Sequence, residues 1–182
     1  MPLSQKDLEW VESEASLLIK KNKVISPPVN VEQLAKHLGL DVIAYDFGED
    51  ISGTLVIENR KGYIGYNPSH PKVRQRFTIA HEIGHFQLHN DTKHEQIFVD
   101  KDFIVKYRNA NNYTSAELKH EQEANAFAAA LLMPKDFIKK ELSKKVNSNI
   151  HEYGLIESFS KLFDVSIPAM TYRLTNLDIF FS

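Results

Sequence analysis

The stretch from Phe77 to His89, FTIAHEIGHFQLH, contains the side chains of this sequence that are best suited to chemistry. His81 and His85 are four residues apart, so on a helix both imidazoles lie on one face, with Glu82 directly beside them. Two imidazoles at this spacing can bind one Zn²⁺ ion, and the adjacent carboxylate can then take a proton from a water molecule at the metal. This HExxH pattern predicts metal-dependent hydrolysis.

The surrounding sequence favours metal binding over a buried histidine pair satisfied by hydrogen bonds alone. Most neighbours of the pair are apolar, so its polar side chains should be buried, and buried polar groups need partners. Gly84 lies beside the histidines, where glycine costs a helix about 1 kcal/mol relative to alanine, and this predicts a close neighbour at that point. The sequence also lacks cysteine, so any metal site must use histidine and carboxylate ligands.

A third ligand is available downstream, in the segment HEQEANAFAAALLMP. Glu121 and Asn125 are one helical turn apart there, so Glu121 can complete the site while Asn125 accepts a hydrogen bond from the far N–H of a metal-bound histidine. Glu123 is the nearest rival. It lies two residues further along, about 200° around the helix axis, so only one of the two glutamates can face the metal. We predict that Glu121 does.

Two residues after the motif are weaker candidates for the third ligand. Asp91 occupies the place that some related proteinases use, but that arrangement needs a glycine turn where this sequence has Leu88. His89 continues the row of histidines by one more turn. Three histidines in a straight helical row do not easily converge on one tetrahedral ion, so His89 is predicted to be a helix C-terminal or surface residue.

The elements that position this motif predict an α+β fold, mainly helical, with a small three-stranded sheet and the HExxH helix packed against the second ligand helix. Residues 90–115 are predicted to be irregular. The signals are helical spacing, capping residues, β-branched runs, glycine and proline. They predict helices after Ser4, in VEQLAKHLGL up to Gly39, from Ser69 to His89, in SAELKHEQEANAFAAALLM before Pro134, at about 135–145 and 151–163, and from Ser166, with strands in DVIAYDF, GTLVIEN and GYIGYN.

Length and composition limit the possible classes of protein. A chain of 182 residues, 42% of them hydrophobic, predicts one domain over 1–182, with an N-terminal helix in 1–28 and a helical appendage in 150–182. The 22 basic and 24 acidic residues leave a net charge of −2, which offers no global surface for nucleic acid. No run of about 18 apolar residues occurs, so we expect a cytoplasmic protein without a membrane span.

The segment LIESFSKLFDVSIPAMTYRL near the C-terminus is patterned like a helix-turn-helix. Its would-be recognition helix contains one cation, Arg173, whereas proteins that read DNA need several phosphate contacts. Nucleic acid is therefore disfavoured as a partner. The alternative is a helical pair that packs on the main domain or is presented to a protein partner.

The segments RQRFTIAHEIGHFQLH and EQEANAFAAALLMP together resemble the ImmA/IrrE family of metallopeptidase-like proteins, which have a gluzincin-type site. The resemblance covers about residues 30–175 and includes the late segment LFDVSIPAMTYRL. It implies that His81, His85 and Glu121 are zinc ligands and that Glu82 is the catalytic base. Characterised members act on helix-turn-helix repressors of mobile elements or stress responses, either by cutting them or by inactivating them in another way.

These observations predict a zinc-dependent endopeptidase that cleaves or inactivates a helix-turn-helix repressor. A metal-bearing partner that only sequesters a repressor, and a DNA-binding regulator, are the alternatives. A second electrophile usually assists such hydrolysis, and Tyr66, His151, Tyr172 and Arg173 are candidates that spacing does not distinguish. The strand GYIGYN is either a candidate edge to which an extended substrate could add or an ordinary core strand.

Overall fold

The computed structural model describes residues 2–48, 50–58, 61–89, 96–101, 114–144 and 152–179. The fold is α+β and mainly helical, as the sequence predicts. None of the described helices has the length and apolar character that a bilayer span requires. The elements, in chain order, are α1 (Gln5–Lys21), α2 (Val31–His37), β1 (Leu40–Ala44), β2 (Ile51–Glu58), β3 (Lys61–Tyr66), α3 (Lys72–His89), β4 (Gln96–Lys101), α4 (Ser115–Leu132), α5 (Lys135–Ser143), α6 (Glu152–Phe163) and α7 (Ile167–Asn176).

The sheet contains the three predicted strands and one more, in the order β1-β3-β2-β4. β1 runs parallel to β3, whereas β2 is antiparallel to both β3 and β4. The fourth strand lies within residues 90–115, so the prediction that this whole stretch is irregular is wrong. β3 is paired on both sides, so the prediction that GYIGYN offers a free edge is also wrong.

Local capping chemistry sets the beginnings of α1 and α4. The Ser4 side chain accepts a hydrogen bond from the Asp7 backbone, and the Asp7 carboxylate accepts one from the Ser4 backbone at 3.1 Å. Thr114 and Glu117 make the same reciprocal pair at the start of α4. Such capping boxes satisfy backbone N–H groups that have no partner within the helix.

Helix α3 packs closely against α4 at the motif. A Cβ atom at Gly84 would lie 3.2 Å from the Cα atom and from the carbonyl oxygen of Ala124, and 3.2 Å from Phe127 Cδ1. Ala124 and Phe127 are fully buried. The close neighbour that Gly84 predicted is thus the backbone of α4, which explains why glycine occupies this helical position.

Two arginines link the helix-turn-helix-like pair α6–α7 to the rest of the fold through hydrogen bonds and ion pairs. Arg76 of α3 donates to the Asp164 carbonyl at 3.2 Å and pairs with its carboxylate at 3.1 Å. Arg173 of α7 donates to both carboxylate oxygens of Glu12, at 2.8 and 2.7 Å, and to the Met133 carbonyl at 3.0 Å. The one cation of the would-be recognition helix is therefore used inside the fold, and this arrangement favours the packed helical pair.

Replacing Gly84 with valine should destabilise the protein. The added methyl groups would enter the space of the α4 backbone, and overpacking of this kind typically costs about 1–3 kcal/mol. Alanine should have a smaller effect, because its better helix propensity offsets about 1 kcal/mol of the strain. Urea unfolding measures both free energies.

The exposed residue Leu17 of α1 provides the matched control, because valine there adds a β-branched side chain to a helix at an exposed position. Leu17→Val should cost less than about 1 kcal/mol. A Gly84→Val protein as stable as the wild type would contradict the close crossing of α3 and α4.

Candidate metal centre

The HExxH motif lies on the most buried part of α3. Every residue from Thr78 to His85 is buried, and His81, Glu82 and His85 are 1%, 0% and 1% exposed. Polar groups removed from water to this degree need partners that replace the lost hydration. The partners of the two histidines come from α4, because the crossing at Gly84 brings that helix against the motif.

Three electron-rich groups converge between the two helices. The Nε2 atoms of His81 and His85 are 3.0 Å apart, and the Glu121 carboxylate oxygens lie 3.5 Å from the first and 3.3 Å from the second. Tetrahedral zinc ligands at their usual bond lengths are about 3.3–3.6 Å from one another. The donor types and their spacing therefore fit a single metal ion held by two imidazoles and one carboxylate.

Asn125 lies one turn after Glu121 and contacts the other side of the His81 ring. Its Oδ1 atom is 3.0 Å from His81 Nδ1. An amide oxygen only accepts hydrogen bonds, so His81 Nδ1 carries the hydrogen and His81 Nε2 presents a lone pair to Glu121 and His85. This is the tautomer that a metal ligand bonding through Nε2 requires.

The electrostatics of the site favour the protonation states that bind a cation. Burial lowers the pKa of His85 to about 4, and the neighbouring His81 lowers it as well, against the opposite effect of Glu121. Burial alone would raise the pKa of Glu121, but its close contacts with His81 and His85 lower that pKa overall. At neutral pH, His85 is thus neutral and Glu121 is ionised, as metal ligands must be.

Glu82 is packed between α3 and the beginning of β2. A Cβ atom at Gly53 would lie 3.5 Å from Glu82 Oε1 and 2.9 Å from the Gly65 carbonyl oxygen, and it would overlap the Thr78 methyl group. Only glycine at position 53 lets β2 come this close to the motif. The Ser52 hydroxyl also holds this end of the strand, because Arg74 donates to it at 2.8 Å.

Glu123 and His89 are brought together, but away from the converging Nε2 atoms. His89 Nε2 is 2.9 Å from Glu123 Oε2, and the ring of His120 stacks on that of His89 at 4.1 Å. Of the two predicted placements for His89, the structure has the helix C-terminal one, because His89 is the last residue of α3 and its side chain is only 4% exposed. Burial also lowers the pKa of His89. Asp91 lies outside the described residues.

The four candidate electrophiles occupy different environments. Tyr66 ends β3, with its Cα atom opposite Gly53, which adjoins Glu82. Tyr172 is 68% exposed on α7, and Arg173 is bound to Glu12. His151 lies outside the described residues. The sequence analysis did not predict the contact between His89 and Glu123. The sequence did contain one signal for it, because His89 follows His85 by one helical turn.

Known proteins resemble both the sequence and the fold. The family model Peptidase_M78, described as the IrrE N-terminal-like domain, matches residues 35–175. "Uncharacterized immunity region protein 2" of Bacillus phage phi105 is 28% identical over 124 residues, which cover 68% of each chain. A solved "Mycobacterium tuberculosis transcriptional regulator" aligns with a TM-score of 0.59 at 15% identity. That alignment covers 92% of this chain and 46% of the regulator, and it shows a likeness of fold.

The metal-free protein should lose stability as the pH falls from about 6.5 towards 4. His85 titrates near 6.5 when unfolded and near 4 when folded, so between these values the unfolded chain binds the extra proton and unfolding becomes easier. A full shift of this size corresponds to about 3 kcal/mol. The lowered pKa of Glu121 contributes stability that is lost only below its ordinary value of 4.5.

Urea unfolding in the presence of a chelator, at pH 7, 6 and 5, measures this trend. His85→Gln should reduce the slope, while His89, whose pKa is lowered too, keeps part of it. A wild-type slope as shallow as that of the variant would contradict the assignment to His85.

Proposed function

Because the chain belongs to the peptidase family of the IrrE N-terminal-like domain, we propose that it is a zinc-dependent endopeptidase that inactivates a helix-turn-helix transcriptional repressor. The observation that carries the proposal is the buried convergence of two imidazole nitrogens and a carboxylate next to Glu82. The name of the phage relative, an immunity region protein, supports a regulatory partner. A repressor substrate would place the reaction in the cytoplasm.

His81, His85 and Glu121 would hold the zinc ion, and Asn125 would keep His81 in the required tautomer. Two nitrogen donors and one carboxylate are the set that catalytic zinc sites of peptidases use, with the fourth position left for water or substrate. When bound, zinc supplies Lewis-acid chemistry, which acidifies a water molecule and polarises a carbonyl group. Of the three side chains, Glu121 is the most accessible, with 18% exposed, so water and substrate would approach from its side.

Glu82 is the proposed general base. Its carboxylate would take the proton of the attacking water and later deliver it to the nitrogen of the leaving amine. The residue is fully buried, and β2 approaches its carboxylate closely at Gly53. A carboxylate fixed in this way needs little reorganisation when the proton moves, because packing has already selected its position.

The alternative within the same regulatory role is a partner that sequesters the repressor without cutting it. Such a protein would use the fold, with or without its metal, but it would not need Glu82. A DNA-binding regulator has less support, because Glu12 engages the single cation of α7. An electrophoretic mobility shift with the protein alone, repeated at rising salt, tests that third function, since phosphate contacts make specific binding salt-dependent.

The purified chain should contain about one zinc ion, as expected for a single site with three protein ligands. The double variant His81→Ala/His85→Ala should lose it, and Glu121→Gln should bind it more weakly. His37→Ala is the matched control, because that histidine contacts Asn22 at the exposed end of α2. Elemental analysis after dialysis measures the metal. Zinc retained by the double variant at the wild-type level would contradict the assigned ligands.

Glu82→Gln should keep the fold and the zinc but lose proteolysis by a factor of at least about 10²–10⁴. The amide preserves the shape of the side chain but cannot accept the proton of water. The assay incubates the protein, with and without zinc, with the repressor encoded beside its gene, and mass spectrometry detects defined fragments. If Glu82→Gln relieved repression as well as the wild type does, catalysis would not be the mechanism, and the sequestering function would take the place of the proteolytic one.

A further inference from the structure

A second polar group lies directly behind the proposed metal site and consists of His89, His120 and Glu123. His89 belongs to α3 and the other two to α4. The side chains of His89 and Glu123 are 4% and 6% exposed, and their Nε2 and Oε2 atoms are 2.9 Å apart. The other ring nitrogen of His89, Nδ1, is 3.3 Å from Nδ1 of His85. The group therefore contacts a proposed zinc ligand from the side that faces away from the site.

The geometry of this group does not suit a second metal ion. The rings of His89 and His120 are stacked, with centroids 4.1 Å apart and planes inclined by 20°. Imidazole lone pairs lie in the ring plane, so two nearly parallel rings cannot direct them at one ion without rotating. Lys119 Nζ is also 3.5 Å from Glu123 Oε1 and adds a positive charge where a cation would have to sit.

The hydrogen bonds instead define a direction that runs from Glu123 to His85. The Glu123 carboxylate can only accept, so His89 Nε2–H donates to it. In the neutral ring, His89 Nδ1 is then an acceptor. His85 Nδ1 faces that atom at 3.3 Å, so it must carry the hydrogen and donate it. The remaining nitrogen of His85, Nε2, is left with its lone pair directed at His81 and Glu121.

We propose that Glu123 and His89 are positioning residues that hold His85 in the Nδ1–H tautomer, so that its Nε2 atom faces the metal site. They do for His85 what Asn125 does for His81. The difference is that the carboxylate is placed one ring further away and acts through His89. This inference rests on the proposed role of His85 as a zinc ligand.

The size of the effect follows from partners of this kind at other metal sites. Removing a group that orients a metal-bound histidine typically lowers metal affinity by about 10–100-fold. His89→Leu should therefore weaken zinc binding by that factor, because leucine offers no acceptor to His85. His89→Asn should recover most of the affinity, since its Oδ1 atom takes the place of Nδ1. Competition with a chelator of known affinity measures the zinc dissociation constant.

His120→Leu is the control, because His120 stacks on His89 but takes no part in the path from Glu123 to His85. Its zinc affinity and stoichiometry should equal those of the wild type. A second zinc ion in the wild type that His120→Leu removes would overturn the proposal in favour of a two-metal site. Unchanged zinc affinity in His89→Leu would overturn it in favour of a purely structural pair.

The tautomer itself is observable without any metal. A long-range ¹H–¹⁵N correlation spectrum of the chelator-treated protein distinguishes Nδ1–H from Nε2–H, and the His85→Gln spectrum assigns the signals. Wild-type His85 should be the Nδ1–H form, and His89→Leu should shift it towards Nε2–H. A wild-type His85 in the Nε2–H form would overturn the proposal. Wild-type protein that binds no zinc would instead overturn the proposed function, while the tautomer measurement would still decide this inference.

Discussion

The close approach of α3 to α4 at Gly84 is the constraint on which the candidate site depends. Glutamate has a short side chain, so Glu121 reaches the imidazoles only if the two helix backbones almost touch. At the crossing, the glycine leaves room for the Cα atom and the carbonyl of Ala124. One missing side chain thus lets ligands that are distant in sequence lie within hydrogen-bonding distance of one another.

The same crossing also buries polar side chains, and these side chains must find partners other than water. Closely packed helices exclude water, and the excluded water can no longer satisfy the imidazoles and carboxylates at the contact. Residues of α4 replace it at regular intervals, since Glu121, Glu123 and Asn125 each face a different histidine or a different nitrogen of α3. Helix α4 therefore presents a series of hydrogen-bond acceptors to the row of histidine rings on α3.

Local chemistry explains which parts of this arrangement were predictable from the sequence. The spacing of His81 and His85, the cap at Ser4 and the stop before Pro134 are short-range signals, and the structure has helices where they predicted them. Gly84 revealed a close neighbour because its cost in a helix demands a compensating contact. That its neighbour is Ala124 depends on tertiary packing, which no local pattern contains.

The misses have physical reasons of the same kind. β4 is a short strand whose partner, β2, lies about forty residues earlier, and its apolar run Ile97–Val99 was a weak signal without that partner. His89 was considered only as a possible ligand, a helix C-terminal residue or a surface residue. A buried histidine that supports another histidine needs an acceptor from a second helix, and the angular argument that set Glu123 apart from Glu121 did not identify where Glu123 points.

The ion pair between Glu12 and Arg173 affects the order in which contacts form while the chain is synthesised. The two residues are 161 positions apart, so α1 cannot make this contact until the chain as far as Arg173 has left the ribosome. At ordinary rates of synthesis the delay is on the order of 10–30 s. During that interval the Glu12 carboxylate lacks the guanidinium of α7, so α1 packs on α4 before this ion pair can form.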